Sequence, residues 1–508
     1  MPKLCPFSRL AALSIGALSL LTTPLPLSAA SLHVDNVLGS DTDNGAQSSP
    51  VKTIQRGMDL AEPGDTVFLK VNAEPYSEPP INVKRGGEAG KPITLDGQGA
   101  VLSGLVPYGP ELWKDAGNGV YGTPYHFPLR FKQVTETQDY QRSGFCIVFF
   151  DGKAGACAAS LEALQPGGYF LSMETQDAGG TLYIKLPPGR TPADTPILMP
   201  KNRHTALHVG KSYVTVKNLT CAWTSQDGFS TTKSHDLIFD NVRGCFNMDQ
   251  GMSHHGSQVV VRNSLFDHNG ATGVRDVYDD CDSNYEDCVF FENLVAGVDA
   301  MGRRHRFLRC LFLDNYGAGL SISKGVTAEV EGCTVKGEGT ERSGIRGWQS
   351  TLEVKKTVLS TLKVGISVAE SRATLQWNAF TLCELNYDWH FQEGWKSALG
   401  NLKCDHNQFS EGAFRLSQKE KPMPFADFRT ATQLDAASVS VVPTKPVIPP
   451  VLSAGGFAQK TRPEENPYGS GLAARLPDKY RDLPPPDARV GRPVEGAAGK
   501  QGVPGKVE

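Results

Sequence analysis

Two aspartates in successive units of an internal repeat, Asp276 and Asp299, could supply the carboxyl pair that glycoside hydrolysis requires. In that reaction one carboxyl donates a proton and the other acts as nucleophile or base, with the two groups roughly 5 to 9.5 Å apart. If the two residues lie one coil apart in a repeat structure, their separation would suit this chemistry.

Basic and aromatic side chains near these aspartates allow a second chemistry. Removal of the proton next to a uronate carboxylate needs a base, together with a cation or an arginine that neutralises the carboxylate. His255 or Arg275 could be that base. Arg346 and Trp348 could bind the sugar chain, because an aromatic face can stack on a sugar ring. The sequence leaves hydrolysis and elimination or epimerisation open, and we favour hydrolysis.

A run of acidic residues close to these candidates could form a metal site. Asp279, Asp280 and Asp282 could hold a cation that prefers oxygen ligands, such as Ca²⁺. Their spacing matches no compact calcium-loop pattern, and a solvated loop between coils is the alternative reading. Neither candidate reaction requires a cofactor.

The elements that must position these residues follow from the repeat. A glycine followed by an apolar residue recurs at intervals of 21 to 25 residues. Between the pairs lie β-rich segments without strong helix formers or a 3.6-residue period. Short strands at this interval predict a solenoid whose coils stack about 4.8 Å apart around one shared core. The pairs are Gly228-Phe229, Gly251-Met252, Gly273-Val274, Gly297-Val298, Gly319-Leu320, Gly344-Ile345 and Gly365-Ile366.

Alternation along each strand divides its residues between the core and the surface. The second residue after each repeat glycine begins an outward row that includes Arg275, Asp299 and Arg346. His255 and Trp348 lie in the next outward row, two residues further along their strands. The repeat therefore predicts one polar outer face that carries an acid, bases and an aromatic ring.

The inward positions include one candidate and several repeated core residues. Strict alternation points Asp276 inward beside His254, as a buried pair, unless the strand ends there and the aspartate emerges. Other inward residues recur at the repeat interval and predict a column of free buried thiols, an aromatic column and a ladder of stacked amides. These residues are Cys288, Cys310 and Cys333; Phe266, Phe290 and Phe312; and Asn269, Asn293 and Asn315.

The repeats resemble those of the pectate-lyase-like right-handed parallel β-helix superfamily over residues 205–415. The resemblance implies an all-β fold built on a right-handed parallel β-helix. Members of that superfamily include polysaccharide lyases, glycoside hydrolases, uronan epimerases and adhesins. It therefore implies a carbohydrate-active protein, and we favour a glycoside hydrolase that degrades a polysaccharide or oligosaccharide on the lateral face of the helix. The alternatives are a lyase or epimerase and a non-catalytic glycan-binding or surface scaffold protein, because fold alone does not assign a reaction.

The segments outside the repeats differ in composition and define further divisions. A capping helix is expected after Thr53, with Ile54, Met58 and Ala61 on one apolar face. The repeat pattern stops between Gly104 and Arg203 while β-like segments continue, which predicts an inserted β-domain. The predicted divisions are a signal peptide at 1–30, the cap and first coils at 31–104, the inserted β-domain at 105–204, the parallel β-helix at 205–415, a closing segment at 416–438 and a disordered Pro-rich tail at 439–508.

Charge and hydropathy limit the partners of the protein. The 51 basic and 54 acidic residues give a net charge of -3, which favours neither nucleic acid nor an anionic membrane surface. After the signal peptide no segment approaches the ~20 apolar residues of a membrane span, so no membrane insertion is expected. The signal peptide predicts a secreted protein, either extracellular or periplasmic.

Overall fold

The computed structural model describes residues 29–126, 146–173, 179–337, 342–410 and 412–440. Nearly all of the predicted signal peptide, and the predicted tail from residue 441 onward, lie outside these described residues. The described chain is almost entirely β-structure, and three long parallel sheets run side by side along a solenoid. The prediction of an all-β parallel solenoid is therefore confirmed.

Each complete coil of the solenoid contributes one short strand to each of three sheets, in the chain order B, A, C. Sheet A contains Ser31–Val34, Thr66–Leu69, Ile93–Asp96, Val214–Lys217, Leu237–Asp240, Gln258–Arg262, Asp282–Glu286, Arg304–Leu308, Thr327–Glu331, Thr351–Lys355, Arg372–Gln376 and Leu402–Asp405. Sheet B contains Ile81–Val83, Leu207–Val209, Phe229–Thr232, Met252–His255, Thr272–Val277, Ala296–Ala300, Ala318–Ile322, Ser343–Trp348, Val364–Ala369, Leu385–His390 and Ala413–Arg415. Sheet C contains Val101–Ser103, Thr220–Ala222, Arg243–Cys245, Leu265–Asp267, Val289–Phe291, Leu311–Leu313, Thr334–Lys336, Val358–Ser360, Ala379–Thr381, Gln408–Phe409 and Val439–Ser440.

The core of the solenoid consists of columns of like residues from successive coils. Phe266, Phe290 and Phe312 align in register in sheet C, with ring centroids 5.8 and 4.9 Å apart. The Cys288, Cys310 and Cys333 thiols are buried and free, and each lies within hydrogen-bonding distance of backbone carbonyl oxygens. The predicted aromatic and thiol columns are confirmed.

An asparagine ladder lines the turn that leads from sheet C to sheet B. The Nδ2 of Asn269 donates to Oδ1 of Asn293 at 2.9 Å, and Asn293 donates to Asn315 at 2.9 Å. Each of these amides also donates to a carbonyl oxygen of the preceding coil. The ladder thus satisfies the bent backbone of the turn, as predicted.

The repeat glycines lie directly against this ladder. A Cβ added at Gly297 would lie 2.5 Å from the carbonyl oxygen of Gly319 and 3.0 Å from the amide nitrogen of Asn315. Gly251 and Gly273 face the next coil in the same way, at 2.7 and 2.6 Å from a carbonyl oxygen. The glycines recur because the coils stack too closely at this corner to admit a side chain.

Both ends of the solenoid are covered by short helices. Helix α1, Ile54–Leu60, begins after Thr53, whose hydroxyl accepts a hydrogen bond from the backbone N–H of Arg56. The helix buries Ile54 and Met58, as predicted. At the other end lie helix α2, Trp395–Ala398, a 3₁₀ turn, Leu399–Asn401, and helix α3, Phe425–Thr432. Phe428 of α3 packs on Trp389 and Phe414. These helices shield the core edges that the terminal coils would otherwise expose.

An insertion between the first and later coils forms two further sheets. Its aromatic core packs on the turns that follow sheet C: the Phe149 ring contacts the edge of Trp223, and the Tyr125 hydroxyl lies 3.6 Å from the Met248 sulfur. It therefore lies against the turns that lead into sheet B. The four-stranded sheet contains Lys153–Ala154, Phe149–Phe150, Ile197–Pro200 and Leu105–Pro107, the five-stranded sheet contains Ala156–Cys157, Gly168–Met173, Gly180–Lys185, Val120–Tyr125 and Lys114–Gly117, and a 3₁₀ turn spans Pro110–Leu112.

No helix within the described residues is long and apolar enough to cross a membrane.

Candidate functional site

The outer side of sheet B carries a continuous row of polar side chains from successive coils, three of which, Ser230, Ser253 and Asp388, are buried. The strand register aligns these residues along the solenoid axis at a spacing of about 4.8 Å per coil. The row is therefore a continuous, chemically varied strip that could follow an extended ligand. It consists of His208, Ser230, Ser253, Arg275, Asp299, Ser321, Arg346, Ser367, Asp388 and Arg415.

Arg275 and Asp299 form the charged centre of this row. They are register partners on neighbouring strands, and the Arg275 Nε lies 3.4 Å from Asp299 Oδ2. Both side chains remain partly exposed, at 25% and 15%. The sequence prediction that both residues point outward is thus confirmed, and the two form an ion pair rather than two independent groups.

His255 extends this centre towards the preceding coil. Its Nε2 lies 3.1 Å from the Ser253 hydroxyl, and its ring lies 5.6 Å from the exposed ring of Tyr278. Burial lowers the pKa of His255 below its usual value, and the nearby His208 and Arg275 lower it further. The imidazole is therefore mostly neutral at pH 7 and could accept a proton.

Asp276 lies inside the solenoid, on the opposite side of its strand from Arg275. It is fully buried, and its carboxylate accepts hydrogen bonds from Ser283 at 2.6 Å and Tyr285 at 3.0 Å. His305 Nδ1 lies 3.6 Å away. Of the two placements that the sequence allowed, the buried one is observed, because the strand continues to Val277 and keeps its alternation. The hypothesis that Asp276 faces a groove with Asp299 is therefore wrong.

A different pair of carboxyls lies at the edge of the polar row, in the segments Gln226-Asp227-Gly228 and Asp249-Gln250-Gly251, whose sequence favours turn residues over catalysts. Asp227 and Asp249 precede successive strands of sheet B, and Asp227 Oδ1 accepts the backbone N–H of Gln250 at 3.3 Å. Asp249 also contacts the Gln250 side-chain amide and directly follows Met248, on which the insertion packs. The two aspartates thus lie on adjacent coils, and Asp249 is next in sequence to the contact with the insertion.

The two members of this pair have unequal surroundings. Each residue is partly exposed as a whole, but the Asp227 carboxyl is surrounded by protein atoms. This burial, and then the charge of Asp249, raise the pKa of Asp227 well above its usual value, while Arg275 acts in the opposite direction. A carboxyl that keeps its proton near neutral pH can act as a general acid.

The three aspartates predicted to hold a metal lie beyond the end of a sheet B strand. Asp279 and Asp280 are exposed, and Asp280 packs against the backbone of Gly256. Asp282 pairs with Arg303 at 2.8 Å and accepts the Arg304 backbone N–H. No group of three or more His, Cys, Asp or Glu among the described residues is arranged to hold a metal ion. The fold does not bring these aspartates together as a calcium site.

The predicted sugar-binding residues lie on the same face, two coils beyond Asp299. Arg346 is exposed, and 53% of Trp348 is exposed. Two coils further, Asp388 pairs with Arg415 and His390, and the sequence analysis missed these residues. The recurring glycine that marks each coil in the sequence is last found at Gly365, because Asn386 occupies the equivalent position in the next coil. The polar row itself continues through that coil.

The family comparison covers the part of the chain that carries most of this face. Residues 205–380 match the family model described as "Right handed beta helix region". This segment is a right-handed β-helix. No curated protein sequence matches the chain.

Several solved structures resemble the β-helix and its flanking segments at 10 to 12% sequence identity. A structure of XylC with xylose has a TM-score of 0.45 at 12% identity, covering 77% of this chain and 85% of that one. A glycoside hydrolase has a TM-score of 0.44 at 10% identity, covering 77% and 95%. Pectate lyase Pel9A has a TM-score of 0.43 at 12% identity, covering 89% of each chain. Likeness of this kind does not assign an activity.

Proposed function

We propose that the protein is an exported glycoside hydrolase that binds a glycan lengthwise along the outer face of sheet B. The observation that carries this proposal is the pair of carboxyls, Asp227 and Asp249, on adjacent coils beside the Arg275–Asp299 ion pair. Adjacent parallel strands are about 4.8 Å apart, so carboxyls carried by neighbouring coils can approach the roughly 5 Å separation of retaining glycoside hydrolases.

The environments of the two carboxyls suggest a role for each. Burial and the neighbouring negative charge raise the pKa of the Asp227 carboxyl and favour its protonated form, so it would donate a proton to the leaving oxygen. Asp249 would act as the ionised partner, either as nucleophile or as the base that activates water. Arg275, held by Asp299, would orient the sugar next to the bond that is cleaved.

The proposal is tested by replacing each carboxyl and following the release of reducing ends from a panel of glycans. Because general acid catalysis typically contributes about 10²- to 10⁴-fold, we expect Asp227→Asn to lower kcat/KM by that factor. Asp249→Asn should lower it comparably. The matched control is Asp240→Asn, a partly exposed aspartate of sheet A in the same coil as Asp227.

Equal activity of the Asp227→Asn and Asp240→Asn variants would exclude Asp227 from the mechanism. If the unmodified protein binds glycans but cleaves no member of the panel, the protein is instead a glycan-binding scaffold.

One observation favours elimination as a second candidate function. The mostly neutral His255, hydrogen-bonded to Ser253 and one coil from Arg275, combines a base with a cation that could neutralise a uronate carboxylate. Elimination leaves an unsaturated uronate, which absorbs ultraviolet light, whereas hydrolysis does not. The same glycan panel read by absorbance therefore separates the two reactions, and loss of the absorbing product in His255→Ala would assign the base.

A further inference from the structure

Towards the C-terminal end of the solenoid, two small residues on the outer face of sheet B lie between larger side chains of the neighbouring coils, and we call this position the notch. Its floor consists of two small residues of one strand, Ser367 and Ala369. The preceding coil places Arg346 and Trp348 beside them, and the following coil places His390 beside Ala369. Because coils are about 4.8 Å apart, the two walls are separated by roughly 10 Å, which leaves room for one sugar ring.

The first wall offers an aromatic surface and a positive charge that has no ion-pair partner within the described part of the chain. Trp348 is 53% exposed although it is a large apolar side chain. Arg346 donates from Nη2 to the Ser343 hydroxyl at 2.9 Å, and no carboxylate among the described residues lies within ion-pair distance of it. In the row, Arg346 is flanked by the hydroxyl-bearing Ser321 and Ser367. A guanidinium between two hydroxyls is suited to bind an anionic group.

The second wall consists of side chains that form ion pairs with one another. Arg415 donates two hydrogen bonds to Asp388, each of 2.6 Å, and His390 Nε2 lies 3.0 Å from the same carboxylate. Asp388 is only 4% exposed, so its negative charge is masked from the notch. The notch as a whole therefore presents the positive charge of Arg346.

From this arrangement we infer a distal subsite that binds one negatively charged sugar unit of the glycan, stacked on Trp348 with its anionic group on Arg346. The inference relies on the proposed function only in taking a glycan as the ligand. Arg346 lies two coils, or about 10 Å, beyond Asp299. A chain that occupies both places must therefore contain several sugar units, and a dimer bound at the Arg275–Asp299 centre would not reach the subsite.

The test is calorimetric binding to the full-length protein carrying Asp227→Asn, which suppresses turnover. The probes are galacturonate hexamers and dimers, sulfated galactose hexamers and neutral galactose hexamers. Adding Arg346→Ala should weaken binding of an anionic hexamer about tenfold and leave the neutral hexamer and the dimers unchanged, because one charge-assisted contact is lost. Adding Trp348→Ala should weaken binding of all hexamers. The matched control is Arg372→Ala, an exposed arginine of sheet A on the coil of Ser367.

The outcomes separate this inference from the proposed function. If the Arg346→Ala and Arg372→Ala backgrounds bind every hexamer equally, or if no anionic hexamer binds, the subsite is excluded whether or not the enzyme hydrolyses a glycan. If anionic hexamers bind through Arg346 but the unmodified protein cleaves no glycan, the subsite stands and the proposed hydrolase fails. Preference between the galacturonate and sulfated hexamers identifies the anionic group. Circular dichroism of each variant verifies that it is folded.

Discussion

His254 and His255 are neighbours in sequence but lie on opposite sides of one strand, and this difference controls their chemistry. His255 is partly exposed beside Ser253, whereas His254 is fully buried with its Nδ1 2.9 Å from the Thr231 hydroxyl. The same contrast separates Arg275 from Asp276 on the next coil. A buried polar residue in this solenoid therefore contributes to stability, whereas its neighbour in sequence can meet a ligand.

The burial of His254 predicts a specific loss of stability in acid. Burial lowers the pKa of His254 to about 4, while an unfolded histidine keeps a value near 6.5. As the pH falls below about 6.5, the unfolded chain binds a proton that the folded chain does not, so the free energy of unfolding decreases. Between pH 7 and pH 5 this one residue should remove about 2 kcal/mol.

Between pH 7 and pH 5, we therefore expect the free energy of unfolding of the unmodified protein to fall by about 2 kcal/mol more than that of the His254→Gln variant. The measurement is urea-induced unfolding at both pH values, and the exposed His235, replaced by Gln, is the control. Identical pH dependence in all three proteins would show that His254 does not titrate as described.

At the scale of the strand and turn, the repeat glycines set how closely the coils approach. At Gly251, Gly273 and Gly297 this role is steric, because an added Cβ would lie against the carbonyl oxygen of the next repeat glycine and the amide of the asparagine ladder. Neither neighbour can move without breaking hydrogen bonds that run along the solenoid. The sharp corner before sheet B, which carries Asp227 and Asp249, depends on this packing.

Gly297→Ala should destabilise the protein by roughly 1 to 3 kcal/mol, the usual cost of forcing a methyl group into a packed core. Gly400→Ala is the control, because a Cβ there would meet no atom within 4 Å. Thermal unfolding followed by circular dichroism compares the two variants. A Gly297→Ala protein as stable as Gly400→Ala would mean that the coils can separate at this corner at little energetic cost.

At the scale of the whole molecule, one hydrophobic core extends from the first coils to helix α3. All ten cysteines in the described part of the chain are free, and each except Cys157 is buried. Six of them pack along the same core as the aromatic columns, whereas Cys146 and Cys245 pack in the core formed with the insertion. The solenoid therefore holds its coils together by stacking and burial, without disulfides among these residues.

This arrangement predicts how the native protein reacts with a thiol reagent. In the folded protein only Cys157, among these ten, should be modified quickly, and the other nine should react only when the cores that bury them unfold. Mass spectrometry after brief labelling, with and without denaturant, counts the modified thiols. Rapid modification of Cys288, Cys310 or Cys333 under native conditions would contradict a closed core, and Cys157→Ser provides the control for the single accessible thiol.

The repeat alone was sufficient to predict the solenoid, the outward row around Arg275 and Asp299, and the core columns. Each of these follows from the two-residue period of a strand and a nearly constant coil length, so position in the repeat determines the side that a residue faces. Strict alternation also pointed Asp276 inward, where it lies. The capping helix followed from local signals at Thr53 and Ile54.

The tertiary structure was needed for Asp227, Asp249 and the notch. Turn residues do not alternate, so no period indicates which carboxyl of a turn lies beside the polar row or beneath the insertion. The direction in which the insertion folds back depends on contacts such as Phe149 with Trp223, which are distant in sequence. The Asp388–Arg415 pair was missed because the glycine that marks each coil is absent there, while the coil itself is maintained by stacking on its neighbours.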